Sequence, residues 1–156
     1  KYDRAYRRTS RGKNLNVVHQ LTWRTSKKGK EYRKQYQRLY MRRRRKEDVS
    51  FRISANFSSS MWASLKGRKM GLEWESIVGY DLKQLMGHLE RRFDTYMTWD
   101  NYGSYWHVDH IKPQMFFSFK KYSDPDFIEC WSLNNLRPLE AKQNIILGNK
   151  MRLKKS

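Results

Sequence analysis

Asp109 and His110 stand side by side, and Asn135 and Asn144 follow nine residues apart. Histidine is the side chain best suited to take a proton near neutral pH. Asp and Asn offer oxygen ligands, which a hard divalent cation such as Mg²⁺ prefers. Residues of these types suit hydrolysis of a phosphodiester. That reaction needs an activated water, charge relief at the phosphate and a stabilised leaving oxygen. Cys130 is the only cysteine. An internal disulfide and a multi-cysteine zinc site are therefore excluded.

Short elements must position these side chains. Residues 106 to 112 roughly alternate between Gly103 and Pro113, which suits a strand. Asp124-Pro125 marks a turn in the following loop. Leu136 to Leu139 suits a second short strand, and Glu140 to Leu147 a helix with Gly148 as its stop. The order is strand, loop, strand, helix. Neighbours on a regular strand point to opposite sides, so Asp109 and His110 need local twist or a bulge to serve one site. Trp106 and Trp131 read as core around this small motif. His19 and His88 read as packing or surface residues. His107 shares a strand face with Asp109 and reads as a packed residue that can also touch nucleic acid.

Upstream, Phe51, Ile53, Phe57, Met61, Trp62 and Leu65 recur mostly at helical spacing, with Gly67 as a stop. Lys66 to Gly71 reads as a basic turn. Asp81 and Gln84 have capping-box spacing, and Leu82, Leu85, Met86, Leu89 and Phe93 form one apolar face behind them.

The net charge is +19, of which +14 falls within residues 1 to 48. A balance this basic implies a polyanionic partner, nucleic acid before an acidic membrane surface. No apolar run approaches bilayer-spanning length. The start lacks an apolar signal region, so secretion is not indicated, and beginning at Lys1 the chain reads as a fragment. Lys1 to Gly29 reads as an extended basic arm with a short strand or docking segment around Leu15, Val17, Val18, Leu21 and Trp23. Lys30 to Lys46 reads as a helix with Tyr32, Tyr36, Leu39 and Tyr40 on one stripe, ending in Arg42, Arg43, Arg44, Arg45 and Lys46. That helix can lie along DNA phosphates, or its tyrosines can dock on the rest of the protein.

Asp109-His110-Ile111-x-Pro113, Asn135-Leu136-Arg137-Pro138-Leu139 and Ala141-Lys142-x-Asn144, in this order, resemble the HNH endonucleases. The likeness is to small phage-type members whose third signature residue is Asn. It covers about residues 80 to 150 well and 50 to 79 loosely. The resemblance implies an α+β chain with a ββα-metal core, preceded by helices and a basic N-terminal arm. Three divisions are expected: 1–48, the DNA-binding arm and helix; 49–100, a helical region; and 101–156, the nuclease core.

By the same resemblance, His110 is the general base and Asn135 ties the loop after it. Asp109 and Asn144 hold one metal ion, and Arg137, Lys142 and Lys150 meet phosphates. Asn144 stands where many members carry His, and Gly148 where some carry a further His ligand. That favours weakly held Mg²⁺ or Mn²⁺ over tight zinc. The implied activity is cleavage of double-stranded DNA, in a phage-infected or bacterial cytoplasm, as by a homing endonuclease. A restriction-like or packaging-associated nuclease has the same chemistry. A binding protein whose core no longer cuts, or a basic RNA binder of ribosomal type, explains the charge.

Overall fold

A computed structural model describes residues 9–67 and 71–153, without the side chains of 151–153. The first eight residues of the expected arm, part of the Lys66–Gly71 turn and the last three residues of the expected core lie outside the described residues. The fold is α+β: seven helices and one two-stranded sheet among the described residues. The chain divides into two compact units, Lys1–Glu47 and Asp48–Ser156.

In the first unit, α1 spans Ser10–Thr25 and α2 spans Lys27–Glu47. The second matches the helix expected from Lys30. The first replaces the expected extended arm. Leu15, Val18 and Leu21 sit three apart, a helical spacing, and no proline interrupts them. Thr22 and Thr25 turn their hydroxyls back onto the carbonyls of Val18 (2.8 Å) and Leu21 (2.9 Å), which accommodates both inside the helix. Ser26 breaks the run and caps α2, its Oγ accepting from the Gly29 amide at 3.1 Å. Trp23 then meets Tyr32 edge to face at 5.6 Å. Gly29 is buried at this corner, and a Cβ there would lie 1.9 Å from the Trp23 carbonyl oxygen.

The second unit begins with α3, Val49–Ser64, capped by the Asp48 carboxylate on the Phe51 amide at 2.9 Å. Ile53, Phe57, Met61 and Leu65 recur every four residues and are all buried. The helix ends at Ser64, and Gly67, whose φ of +85° is open to glycine, completes the turn after it. Two helices follow: α4, Trp74–Val78, and α5, Leu82–Glu90. The Asp81–Gln84 capping box forms as expected, and α5 buries Leu85, His88 and Leu89. Strand β1, Trp106–His110, pairs antiparallel with β2, Leu136–Glu140, from Trp106↔Glu140 to His110↔Leu136. Between them lies α6, Pro125–Cys130, so Asp124-Pro125 opens a short helix with Pro at its start rather than only turning the loop. Helix α7, Ala141–Leu153, follows β2 without a break and packs on both strands.

Gly148 does not stop α7, which runs on to Leu153. A glycine inside a helix costs roughly 1 kcal/mol relative to alanine, and here no left-handed φ or proline turns that cost into an end. Residues 49–100 and 101–156 do not form separate bodies. Phe57 of α3 packs on Trp74 at 4.8 Å and on Trp131 at 5.0 Å, and Phe93 packs on Trp106 at 4.8 Å. The upstream helices are thus the floor on which the sheet rests. Trp106 and Trp131 are core, as expected, at 0 % and 1 % exposure.

The corner of the first unit yields a direct expectation. Gly29→Ala forces the Trp23 carbonyl away and separates α1 from α2. Nuclear Overhauser cross-peaks between the Trp23 and Tyr32 rings should vanish, with the second unit's signals unchanged. Their persistence would contradict the close packing at Gly29.

Candidate active site

Asn135 ends a single turn of 3-10 helix, Leu133–Asn135, immediately before β2. Its Oδ1 accepts from the Lys112 amide at 2.8 Å, and its Nδ2 donates to the carbonyls of Cys130 (2.8 Å) and Lys112 (3.2 Å). Its own carbonyl accepts from the Ile111 amide at 2.8 Å. One amide side chain thereby joins the exit of β1, the end of α6 and the entry to β2. Asn134 makes none of these bonds.

His110 is the last residue of β1, directly before the clamped pair Ile111 and Lys112. Its imidazole meets the edge of Trp131 at 4.7 Å, with the rings 84° apart. Gln114 brings its amide nitrogen to 3.5 Å from Nε2, a distance too long for a firm bond. Burial pushes the His110 pKa down to about 4, against a small opposite pull from the Asp109 carboxylate. The ring is therefore neutral at pH 7 and has a lone pair to offer.

Asp109 sits opposite Arg137 in the sheet, and Arg137 Nε donates to its Oδ2 at 3.0 Å. No bulge interrupts the five paired positions. Asp109 and His110 therefore lean to opposite faces, with His110 at the strand's end. Asn144 lies in the first turn of α7, half-buried, and no hydrogen bond joins it to Asp109 or His110. Lys142 and Lys150 are exposed on the same helix. Arg42, Arg43, Arg44, Arg45 and Lys46 lie in the other unit, in the last turns of α2, with Arg43 Nε 3.8 Å from Glu47. His107 turns its Nε2 toward the Gly103 carbonyl at 3.3 Å.

Among the described residues, no three His, Cys, Asp or Glu side chains gather as metal ligands. The donors on offer are instead the second oxygen of Asp109 and the carbonyl of Asn144. Hard, neutral-to-anionic oxygens of this kind fit Mg²⁺ or Mn²⁺ and leave most of the coordination sphere to water and substrate. Arg137 already offsets the Asp109 charge, so a phosphate would have to complete the charge balance of a cation there.

Two side chains that support the site do not stand out by sequence spacing. His88, on α5, is 5 % exposed, and its Nε2 lies 2.9 Å from the carbonyl of Leu136, the residue paired with His110. Arg92 Nη1 approaches His88 Nδ1 at 3.2 Å, which assigns the proton to Nε2. Burial lowers its pKa, and Arg92 and Arg91 push the same way. Tyr80 donates to the Trp131 carbonyl at 2.6 Å and so fixes the residue behind His110. A lone His or Tyr gives no sequence signal for such a role, because each acts across about fifty residues of chain.

Two uncharacterized proteins of Acanthamoeba polyphaga mimivirus are similar to this chain. One is 28 % identical over 153 residues, covering 94 % of the chain and 66 % of that protein. The other is 32 % identical over 102 residues, covering 65 % of the chain and 44 % of that protein. The chain thus spans less than two thirds of the length of either relative. No family model matches it, and no solved structure does.

Two stability measurements follow from this geometry. Asn135→Ala leaves the Lys112 amide and the Cys130 carbonyl without their partner and should cost about 2–4 kcal/mol in urea unfolding. A loss below about 1 kcal/mol would show that the clamp is dispensable. The second concerns pH. Unfolded histidine takes a proton below about 6.5, whereas folded His110 waits until about 4. Stability of EDTA-treated protein should therefore hold above pH 6.5 and fall between 6.5 and 4. His88 adds to the same fall. In His110→Gln the fall should be shallower, and an equal fall in both proteins would contradict the burial of a neutral His110.

Proposed function

We propose that the chain is a metal-dependent endonuclease of the HNH type, hydrolysing phosphodiester bonds of double-stranded DNA. The observation that carries this reading is the order of parts around the Asn135 clamp. Asp109-His110 closes one strand, Asn135 opens its antiparallel partner, and the helix bearing Asn144 follows at once. This is the strand, strand, helix arrangement that the ββα-metal reading requires.

In this reading His110 takes a proton from water, whose oxygen forms a bond to phosphorus as the bond to the 3′ oxygen breaks. Its neutral form at pH 7 lets it accept that proton, and an approaching phosphate anion raises its basicity from the resting value. Trp131 fixes the plane of the ring, and Asn135 fixes the chain that carries it. Asp109 and Asn144 would hold Mg²⁺ or Mn²⁺, which when bound supplies charge relief at the phosphate. Arg137 orients the Asp109 carboxylate through Nε, and its Nη groups would be the donors offered to the phosphate. Lys142, Lys150 and the Arg42–Lys46 run add phosphate contacts. These set the position of the duplex and a salt-dependent affinity, not a sequence preference. No described helix is long and apolar enough to cross a membrane. The viral source of both relatives fits a nuclease of a virus or mobile element, homing included.

Supercoiled plasmid is the test substrate. Cutting should require Mg²⁺ or Mn²⁺ and stop in EDTA. His110→Ala should lose about 10²–10⁴-fold in rate while still shifting duplex DNA in a gel. Asp109→Ala and Asn144→Ala should each weaken metal-dependent cutting. Undiminished cutting by His110→Ala, or after thorough chelation, would refute the assignment.

A further inference from the structure

The first unit exposes aromatic rings where a basic helix needs none. Helix α2 carries eleven Lys or Arg and two Glu in 21 residues. Tyr32 is 58 % exposed, Tyr36 60 % and Trp23 44 %. Tyr32, Tyr36 and Tyr40 follow at four-residue spacing, so they form one stripe that winds slowly round the helix at a rise of about 6 Å per step. The Tyr32 and Tyr36 rings lie within 16° of parallel at 6.5 Å, and Trp23 continues the ridge from α1, 5.6 Å from Tyr32. Cations alone would suffice for duplex phosphates. Flat rings set among cations also provide what unpaired nucleotides need, a face for each base and a charge for each phosphate.

We propose that the α1–α2 hairpin binds single-stranded nucleic acid, stacking bases on Trp23, Tyr32 and Tyr36 while the cations of α2 hold the phosphates. Charge decides among the possible occupants of this face. A second copy of the chain would bring two strongly cationic helices together, which repel. An anionic bilayer suits the charge, but it rewards an aliphatic stripe buried in the acyl boundary. The stripe that carries the stacked rings is tyrosine, whose hydroxyl keeps its tip wet, whereas the hairpin's exposed aliphatics are Leu15, Val17, Val18 and Leu21 on α1 and Leu39 on α2. The hairpin belongs to the first unit and Asp109, His110 and Asn144 to the second, and binding there requires neither metal nor cutting.

The test is equilibrium binding by the full chain in EDTA, followed by fluorescence anisotropy. The probes are a labelled thymidine oligonucleotide of roughly 12 nucleotides, within the range of known single-strand sites, and an abasic oligonucleotide of equal length. The abasic strand keeps the phosphates and lacks the bases. Wild type should bind the thymidine strand at least about tenfold more tightly. Tyr32→Ala/Tyr36→Ala should remove about tenfold or more from that affinity and leave abasic binding unchanged. Tyr32→Phe/Tyr36→Phe, which keeps the rings, should bind as wild type. A uridine strand bound equally supports the same site, open to RNA and DNA.

Three results would overturn the proposal. One is equal affinity for thymidine and abasic strands in wild type. Another is a double alanine variant that loses thermal stability but keeps the base preference, which would mean that the tyrosines cover part of the protein. The third is tighter binding to anionic phosphatidylserine vesicles than to the thymidine strand, lost in the same variant. Because no cleavage is read, failure here leaves the nuclease reading untouched, and failure of that reading leaves this one intact.

Discussion

The arrangement around the sheet depends on one side chain, Asn135. Its amide supplies one acceptor and two donor bonds to backbone groups of Lys112 and Cys130, chain segments that are distant in sequence. Without it, the exit of β1 would be tied to the entry of β2 only by the five-residue pairing and one backbone bond from the Ile111 amide to the Asn135 carbonyl. A two-stranded sheet is marginal by itself. It is held here from below by the tryptophan and phenylalanine floor and at its open end by this amide. His110 stands one residue before the clamped loop, so the clamp sets its position directly.

Electrostatics then separates the roles of neighbouring residues. His110 is turned toward Trp131 and loses solvent, so it is held neutral. Asp109, on the other face of the strand, pairs with Arg137 at 3.0 Å. One regular strand thus presents a neutral imidazole and an ion-paired carboxylate side by side, because alternation gives them different surroundings. No bulge is needed. Asn144 enters from the first turn of the helix that leaves β2, so its distance along the chain from Asn135 is set by the length of the strand.

Much of this was legible in the sequence, and the failures share a cause. The Asp81–Gln84 capping box, the α3 stripe and both strands follow from local spacing, and local spacing is what sequence displays. Leu15, Val18 and Leu21 are sparse and set among the polar side chains Asn14, Asn16, Gln20 and Thr22, so the stretch shows little of a helix by pattern alone. What favours α1 is the corner at Ser26 and Gly29 and the Trp23–Tyr32 contact. Gly148 was taken as a stop by its type, but a glycine ends a helix only where the chain turns left-handed. The positioning roles of His88 and Tyr80 were illegible because each bonds a carbonyl far along the chain. Arg137 was placed in the site by motif, but its partner Asp109 becomes visible only once the strand register is known.

The central proposal is that Asp109 and Asn144 hold one cation, with His110 beside it as the base. Titrating Mn²⁺ into ¹⁵N-labelled protein and following paramagnetic broadening of the amide signals tests it most directly. The account predicts that substoichiometric Mn²⁺ broadens residues around Asp109, His110 and Asn144 first, and that Asp109→Ala abolishes this local effect. Broadening centred elsewhere, or unchanged in Asp109→Ala, would contradict it.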